Sequence, residues 1–302
     1  LFKPGYPIQA RELTNLQSIL QNQIERFGQH FFKEGAKVIP GNTGYSQSYY
    51  CVQLQNNFQG VPVSAYADQL LGTKITGQLS GVSAYVDSIL LPENSDNGNL
   101  TLYINYLNSS TSNNSTQQFT DGELLSCNEI ITSGLLGNST IVAGTPFANA
   151  LATGANAVGS SFQIEEGVYF VRGNFVNVAR ETLILDQYSN TPNYRIGLFI
   201  NEEIITSDLD EALNDNSQGF NNYSAPGADR LKITLSLFKK NLDNFNDDNF
   251  IELGTVVNGV LRTKAKKGVF GTGSSGNSNF DDVLARRTFD ESGNYYVKPF
   301  DV

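Results

Sequence analysis

Leu13, Leu16, Leu20, Ile24, Phe27 and Phe31 recur at steps of three and four residues. That spacing lines one face of an α-helix and leaves Gln, Asn and Glu on the other. Pro7 suits the first turn and Gly35 a stop just past the end, while Gly28 weakens the last turn. From Ala36 onward the period changes to two. AKVIPG, SYYCVQLQ and VPVSAY are β-like pieces broken by Gly and Pro. In NLTLYINYL, Leu100, Leu102, Ile104 and Tyr106 alternate with Thr101, Tyr103 and Asn105, which predicts a strand with one face in and one out. Asn97-Gly98 marks the hairpin turn before it. A meander carries Val168, Phe170, Phe175, Val176, Val178, Leu183 and Leu185. Leu231, Ile233, Leu235 and Leu237 line one side of a later strand, and Asn258-Gly259 marks a further hairpin. Asn108–Gln118 is polar and low in complexity, a loop. Ala143–Ser161 has no strong period and reads as a connector. A short helix is expected from Asp281 to Arg287 and a strand in NYYVKPF.

These elements predict a mainly β (α+β) fold, an N-terminal amphipathic helix followed by antiparallel β-sandwich or barrel-like domains. The expected divisions are 1–35, a helix for oligomerisation or docking; 36–160, a first β region with a small β-domain near 61–142; and 161–302, a second β-domain. Met is missing throughout and the chain stops abruptly after KPFDV, so it reads as a piece of a polypeptide that continues beyond residue 302.

Composition narrows the function classes. The net charge of −10 disfavours nucleic acid as a partner, since such binding rests on neutralising phosphates. The small basic run Lys264–Lys267 reads as a solvated loop. No apolar stretch approaches the ~18 residues that span a membrane. Cys51 and Cys127 sit in apolar, strand-like contexts and read as two buried thiols, with a disulfide as the alternative. Sequons at Asn99, Asn108, Asn114 and Asn138 read as chance in an Asn-rich chain.

Candidate chemistry is sparse. His30 is the single histidine, so a Ser-His-Asp or Cys-His relay has one place to run, and no nucleophile elbow lies near it. Gly271–Gly276, GTGSSG, has the spacing of a dinucleotide loop but continues into Asn-Ser-Asn instead of a helix. Asp208, Asp210, Glu211 and Asp215 form one acidic group, Asp243, Asp247 and Asp248 another, Asp281-Asp282 a third. None has the spacing of a calcium loop, and turn and capping roles account for them. No catalytic residue, cofactor-binding residue or metal ligand is therefore expected. In GFNNYSAPGADRLKITLSL, Gly219–Leu237, Pro226-Gly227 fits the centre of a type II turn with Gly at positive φ, and Arg230 is placed to pair with an acid from Ser207 to Asp215.

Four stretches stand out together: Phe2–Gly41 with its helix, IEEGVYFVRGNFVNVARETLILDQYSNTPNYRIGLFINEEIITSDLD, NDNSQGFNNYSAPGADRLKITLSL, and VLARRTFDESGNYYVKPFDV. In that order they resemble the N-terminal region of a family of large tail and baseplate structural proteins of contractile-tailed bacteriophages, especially those of cyanobacteria, known as a domain of unknown function. The resemblance is weakest from Val61 to Ala157. It implies a virion component of the tail or baseplate, assembled in the host cytoplasm, a homotrimer bound to other tail and baseplate proteins and joining the baseplate to fibres. It brings no catalytic residues with it; that neither nucleic acid nor membrane is a partner is expected from the net charge and the lack of a spanning apolar run. The helical row then packs either on its own domain or on the same helix of other subunits, with Gln17, Gln21 and Gln23 available to fix register. In the second reading Leu13, Leu16, Leu20, Ile24, Phe27 and Phe31 are subunit-interface residues. An alternative function is a receptor- or carbohydrate-binding β-module at the tail tip, with Tyr49, Tyr50, Tyr103, Tyr106 and Tyr223 stacking on sugars or packing among strands. A polysaccharide-degrading enzyme would need a paired Asp/Glu site.

Overall fold

The computed structural model describes residues 9–39, 41–108, 117–132, 140–244, 247–262, 287–289, 291 and 293. Pro7, the basic run Lys264–Lys267, Gly271–Gly276, Asp281-Asp282 and the rest of the helix expected there up to residue 286, NYYVKPF, and sequons Asn114 and Asn138 lie outside the described residues; Arg287, the last residue of that expected helix, is helical.

The chain is mainly β. One long helix, α1 (Ala10–Phe31), comes first. The strands follow: β1 (Ala36–Ile39), β2 (Thr43–Leu54), β3 (Asn57–Phe58), β4 (Val61–Pro62), β5 (Lys74–Gly77), β6 (Ser83–Leu90), β7 (Leu100–Tyr106), β8 (Leu124–Cys127), β9 (Ile131–Thr132), β10 (Thr140–Ile141), β11 (Pro146–Asn149), β12 (Asn156–Ile164), β13 (Gly167–Val171), β14 (Asn174–Val178), β15 (Glu181–Asp186), β16 (Tyr194–Ile205), β17 (Arg230–Asn241), β18 (Phe250–Val257) and β19 (Val260–Arg262). All described pairings are antiparallel. The largest sheet has eight strands in the order β11-β8-β5-β6-β7-β2-β12-β15. A four-stranded sheet runs β17-β16-β18-β19, and a three-stranded one β1-β13-β14.

Two apolar cores form. The first gathers Leu54, Leu70, Ile75, Leu102, Ile104 and Phe147. The second lies between the four-stranded sheet and strands β12 to β15, with Ile164, Tyr169, Val171, Ile196, Leu198 and Leu237. β12 joins them: its first residues pair with β2 beside the first core, and Phe162 and Ile164 enter the second. The division expected near residue 160 therefore falls inside a strand.

Two readings of the sequence change. Ala143–Ser161 is not a connector; it holds β11 and the first half of β12, with Phe147, Ala148, Ala150 and Ala155 fully buried. Phe147 and Ala148 in β11, and Gly159–Ser161 in β12, are buried one after another, so neither strand shows an alternation. β7 likewise has no outward face over its first part, because Thr101 and Tyr103 are as buried as Leu100 and Leu102. A third cluster of Tyr49, Cys51 and Tyr103 covers that side. The Asn258-Gly259 hairpin is as expected, with φ of 49° and 75° joining β18 to β19, the paired positive values a tight hairpin requires.

Candidate assembly surface

α1 begins with the Gln9 N–H donating to Glu12 Oε2 at 3.0 Å, which fixes a first-turn carboxylate where the helix dipole favours it. The body grips the other end. Gly28 is the one buried residue of the helix, and a Cβ there would lie 2.3 Å from Phe170 Cε2. The glycine that weakens the last turn in isolation is thus the point of closest approach. The Phe32 ring follows, 5.9 Å from Phe170 and 5.8 Å from Phe175. Gly35, at φ 73°, donates its N–H to the Phe170 carbonyl at 2.8 Å and turns the chain into β1.

The apolar row stays in water. Leu13, Leu16, Leu20, Ile24 and Phe27, with Ile19 beside them, keep 44–63% of their surface exposed. Phe31 is half-buried, with its ring 4.7 Å from Phe27. Ile19 is the one member that the sequence reading left out. His30 is exposed at the end of the row, its ring edge-on to Phe31 at 5.3 Å. A helix with an apolar stripe of this kind gains most of its stability from whatever covers the stripe.

The five tyrosines separate. Tyr49 and Tyr103 are buried and stacked at 4.6 Å; Tyr49 donates to Asp87 Oδ2 at 2.5 Å and Tyr103 to the Gln187 carbonyl at 3.1 Å. Burial pushes both phenols well above their usual range. Tyr223 is exposed. Tyr50 and Tyr106 meet edge to face at 5.7 Å on the wall of an open cavity of about 370 Å³, shared with Leu107, Asn108, Gln117 and Gln118. Tyr106 is held by its own bond to Asn156 Oδ1 at 3.0 Å. A second open cavity, about 590 Å³, is lined by Asn42, Thr43, Gly44, Gln163, Glu165 and Glu166.

Three carboxylates of the two described acidic groups serve local structure. Asp210 accepts from the Ala212 N–H at 3.0 Å, Asp215 from the Ser217 N–H at 2.9 Å, and Asp247 from the Asn249 N–H at 2.8 Å while pairing with Lys240. Among the described residues no group of three His, Cys, Asp or Glu side chains is arranged to hold a metal ion, and no helix is long and apolar enough to cross a membrane. Both cysteines are free and buried, and burial pushes the Cys51 thiol up to about 12. The Pro226-Gly227 expectation fails. Ser224, not Gly227, has positive φ, and Gly227 is small because a Cβ would lie 2.1 Å from the Leu213 carbonyl oxygen. Among the described residues Arg230 forms no ion pair with the 207–215 acids.

No curated protein and no solved structure gave a significant match to the chain. One family model does match, over residues 119–302, from just before β8 to the end and so over more than half of the chain. The chain belongs to the family described as Domain of unknown function (DUF4815).

Proposed function

We propose that this chain is a structural component of a bacteriophage virion, a baseplate or fibre-attachment protein of the tail that acts by protein–protein assembly. The observation that carries the proposal is the bare apolar row of α1, anchored at one end by Gly28 and Phe32 and uncovered along the rest. Packing the row against the same helix of two other subunits removes it from water, and Gln17 and Gln21, exposed on the helix, are available to fix register. The resemblance of the four sequence stretches to phage tail proteins supplies the setting, the virion, assembled in the host cytoplasm. Antibody raised against the chain and used to label purified particles in electron micrographs tests this. Label at the distal end of the tail is the expected result; particles free of the chain refute the proposal.

A second reading rests on the cavity beside Tyr50 and Tyr106. Aromatic walls with neutral amides suit a neutral sugar, which offers apolar ring faces and hydroxyls together. Glycan-array binding lost in Tyr50→Ala supports it, and an array without signal rejects it.

A further inference from the structure

The four-stranded sheet ends unevenly. β18 pairs with β16 only over residues 194–199, whereas β17 pairs with it as far as Ile205. Beyond Ile200, residues 201–205 and 230–234 form a two-stranded ribbon with residues 206–229 at its tip. A two-stranded ribbon is marginal in water by itself. Among the described residues one ion pair ties it back, Glu202 to Arg172 at 2.7 Å. The core face of the sheet continues along it: Leu198, Ile200, Leu235 and Leu237 are buried, and Ile204 and Leu231, opposite each other in register, are each 62% exposed.

The outer edge of β17 changes along its length. Near the body it is closed, because the outward N–H of Leu237 donates to Glu181 Oε2 at 2.7 Å and Lys239 Nζ donates to the Ile184 and Leu185 carbonyls. Strand geometry repeats every two residues, so the N–H and C=O of Leu235, Ile233 and Leu231 point outward as well. Among the described residues none of these has a partner.

We propose that this open edge, Leu231–Leu235, pairs with the same edge of a second copy of the chain, antiparallel about a two-fold axis. In that register Leu231 faces Leu235, and Ile233 faces itself. Every outward donor then meets an outward acceptor, as an isologous contact requires. Leu231 and Ile233 of both copies continue one apolar face. Lys232 faces Thr234, so no like charges oppose one another. Residues 202–232 carry seven carboxylates against Arg230 and Lys232. The antiparallel arrangement holds the two acidic tips apart by at least the paired length, about 14 Å, beyond the screening distance at physiological salt, whereas a parallel one would bring them together.

This contact does not involve α1, so it is tested on a Leu16→Asp/Leu20→Asp background, where failure of the helix contact or of the virion assignment leaves the result readable. Thr234 is exposed, and its side chain bears no part of either core. Sedimentation equilibrium should show a dimer. Thr234→Glu, facing Lys232 of the other copy twice per dimer, should tighten it about two- to thirty-fold, and Thr234→Lys should weaken it by a similar factor. Hydrogen exchange at Leu231, Ile233 and Leu235 should slow as protein concentration rises. A monomer at every concentration, or the two Thr234 variants shifting the equilibrium the same way, overturns the proposal.

Discussion

Glu123 is 4% exposed, and its carboxylate is clamped by four donors from two separate stretches of chain. Oε2 accepts from the Leu79 and Ser80 N–H groups at 3.0 and 2.9 Å; Oε1 accepts from Ser80 Oγ at 2.9 Å and the Thr120 N–H at 2.6 Å. The clamp holds the turn between β5 and β6 against the loop leading into β8. Glu123→Gln keeps size and shape but turns one acceptor into a donor. If the amide NH2 faces the Leu79 and Ser80 N–H groups, both lose their acceptor; if it faces the other pair, Ser80 Oγ rotates to accept from it and the Thr120 N–H alone is left without one. At about 1–3 kcal/mol for each buried group left unsatisfied, the cheaper orientation costs about 1–3 kcal/mol. Glu123→Ala removes every acceptor and should be the less stable of the two variants. Urea denaturation followed by tyrosine fluorescence measures both. If Glu123→Gln unfolds within about 0.5 kcal/mol of the wild type, the size of an ordinary surface substitution, the carboxylate clamp is not what holds this corner.

Arg195 and Glu252 form an ion pair with side chains only 10% and 9% exposed, so Glu252→Leu alone should cost about 3–5 kcal/mol in urea denaturation, and adding Arg195→Met should recover part of that loss. The phenols of buried Tyr66 and Tyr169 and of half-buried Tyr106 are each pushed up to about 12, chiefly by desolvation. Because the folded values lie above the unfolded ones, their contribution is present below pH ~10 and is lost as pH rises toward 12, so spectrophotometric titration should show these phenols ionising together with unfolding. A titration complete before near-ultraviolet dichroism is lost would contradict this. Cys51 should resist a thiol reagent at neutral pH in the folded chain and react on denaturation, since its thiolate is suppressed by burial.

The helix, the alternating strands and the Asn258-Gly259 hairpin were legible because each depends on local period or turn chemistry. What covers a face was not. The spacing of Leu13 to Phe31 identifies a stripe without saying whether the body reaches it. That depends on Gly28 meeting Phe170, residues from two distant elements. Tyr50 and Tyr103 read alike in the sequence, and only the pairing of β2 with β7 puts one at a cavity and the other in a buried stack. The strands within Ala143–Ser161 were unreadable for the opposite reason, because consecutive residues such as Phe147 and Ala148 are buried together and leave no contrast. The Glu123 clamp joins residues up to 44 positions apart and leaves no local pattern.

The central claim is that α1 is a subunit contact. Leu13, Leu16, Leu20, Ile24 and Phe27 each have about half their surface still to bury, which at full burial energies of ~1.5–3 kcal/mol gives roughly 1 kcal/mol per side chain per subunit. Multi-angle light scattering across a concentration series, on the wild type and on Leu16→Asp/Leu20→Asp, measures this most directly. The account predicts for the wild type the mass of a trimer, or a multiple of it where trimers also meet through the β17 edge, and for the variant a mass no greater than the dimer that edge gives, with circular dichroism of the β-body unchanged. A folded wild type that shows the same mass as the variant at every concentration would contradict it.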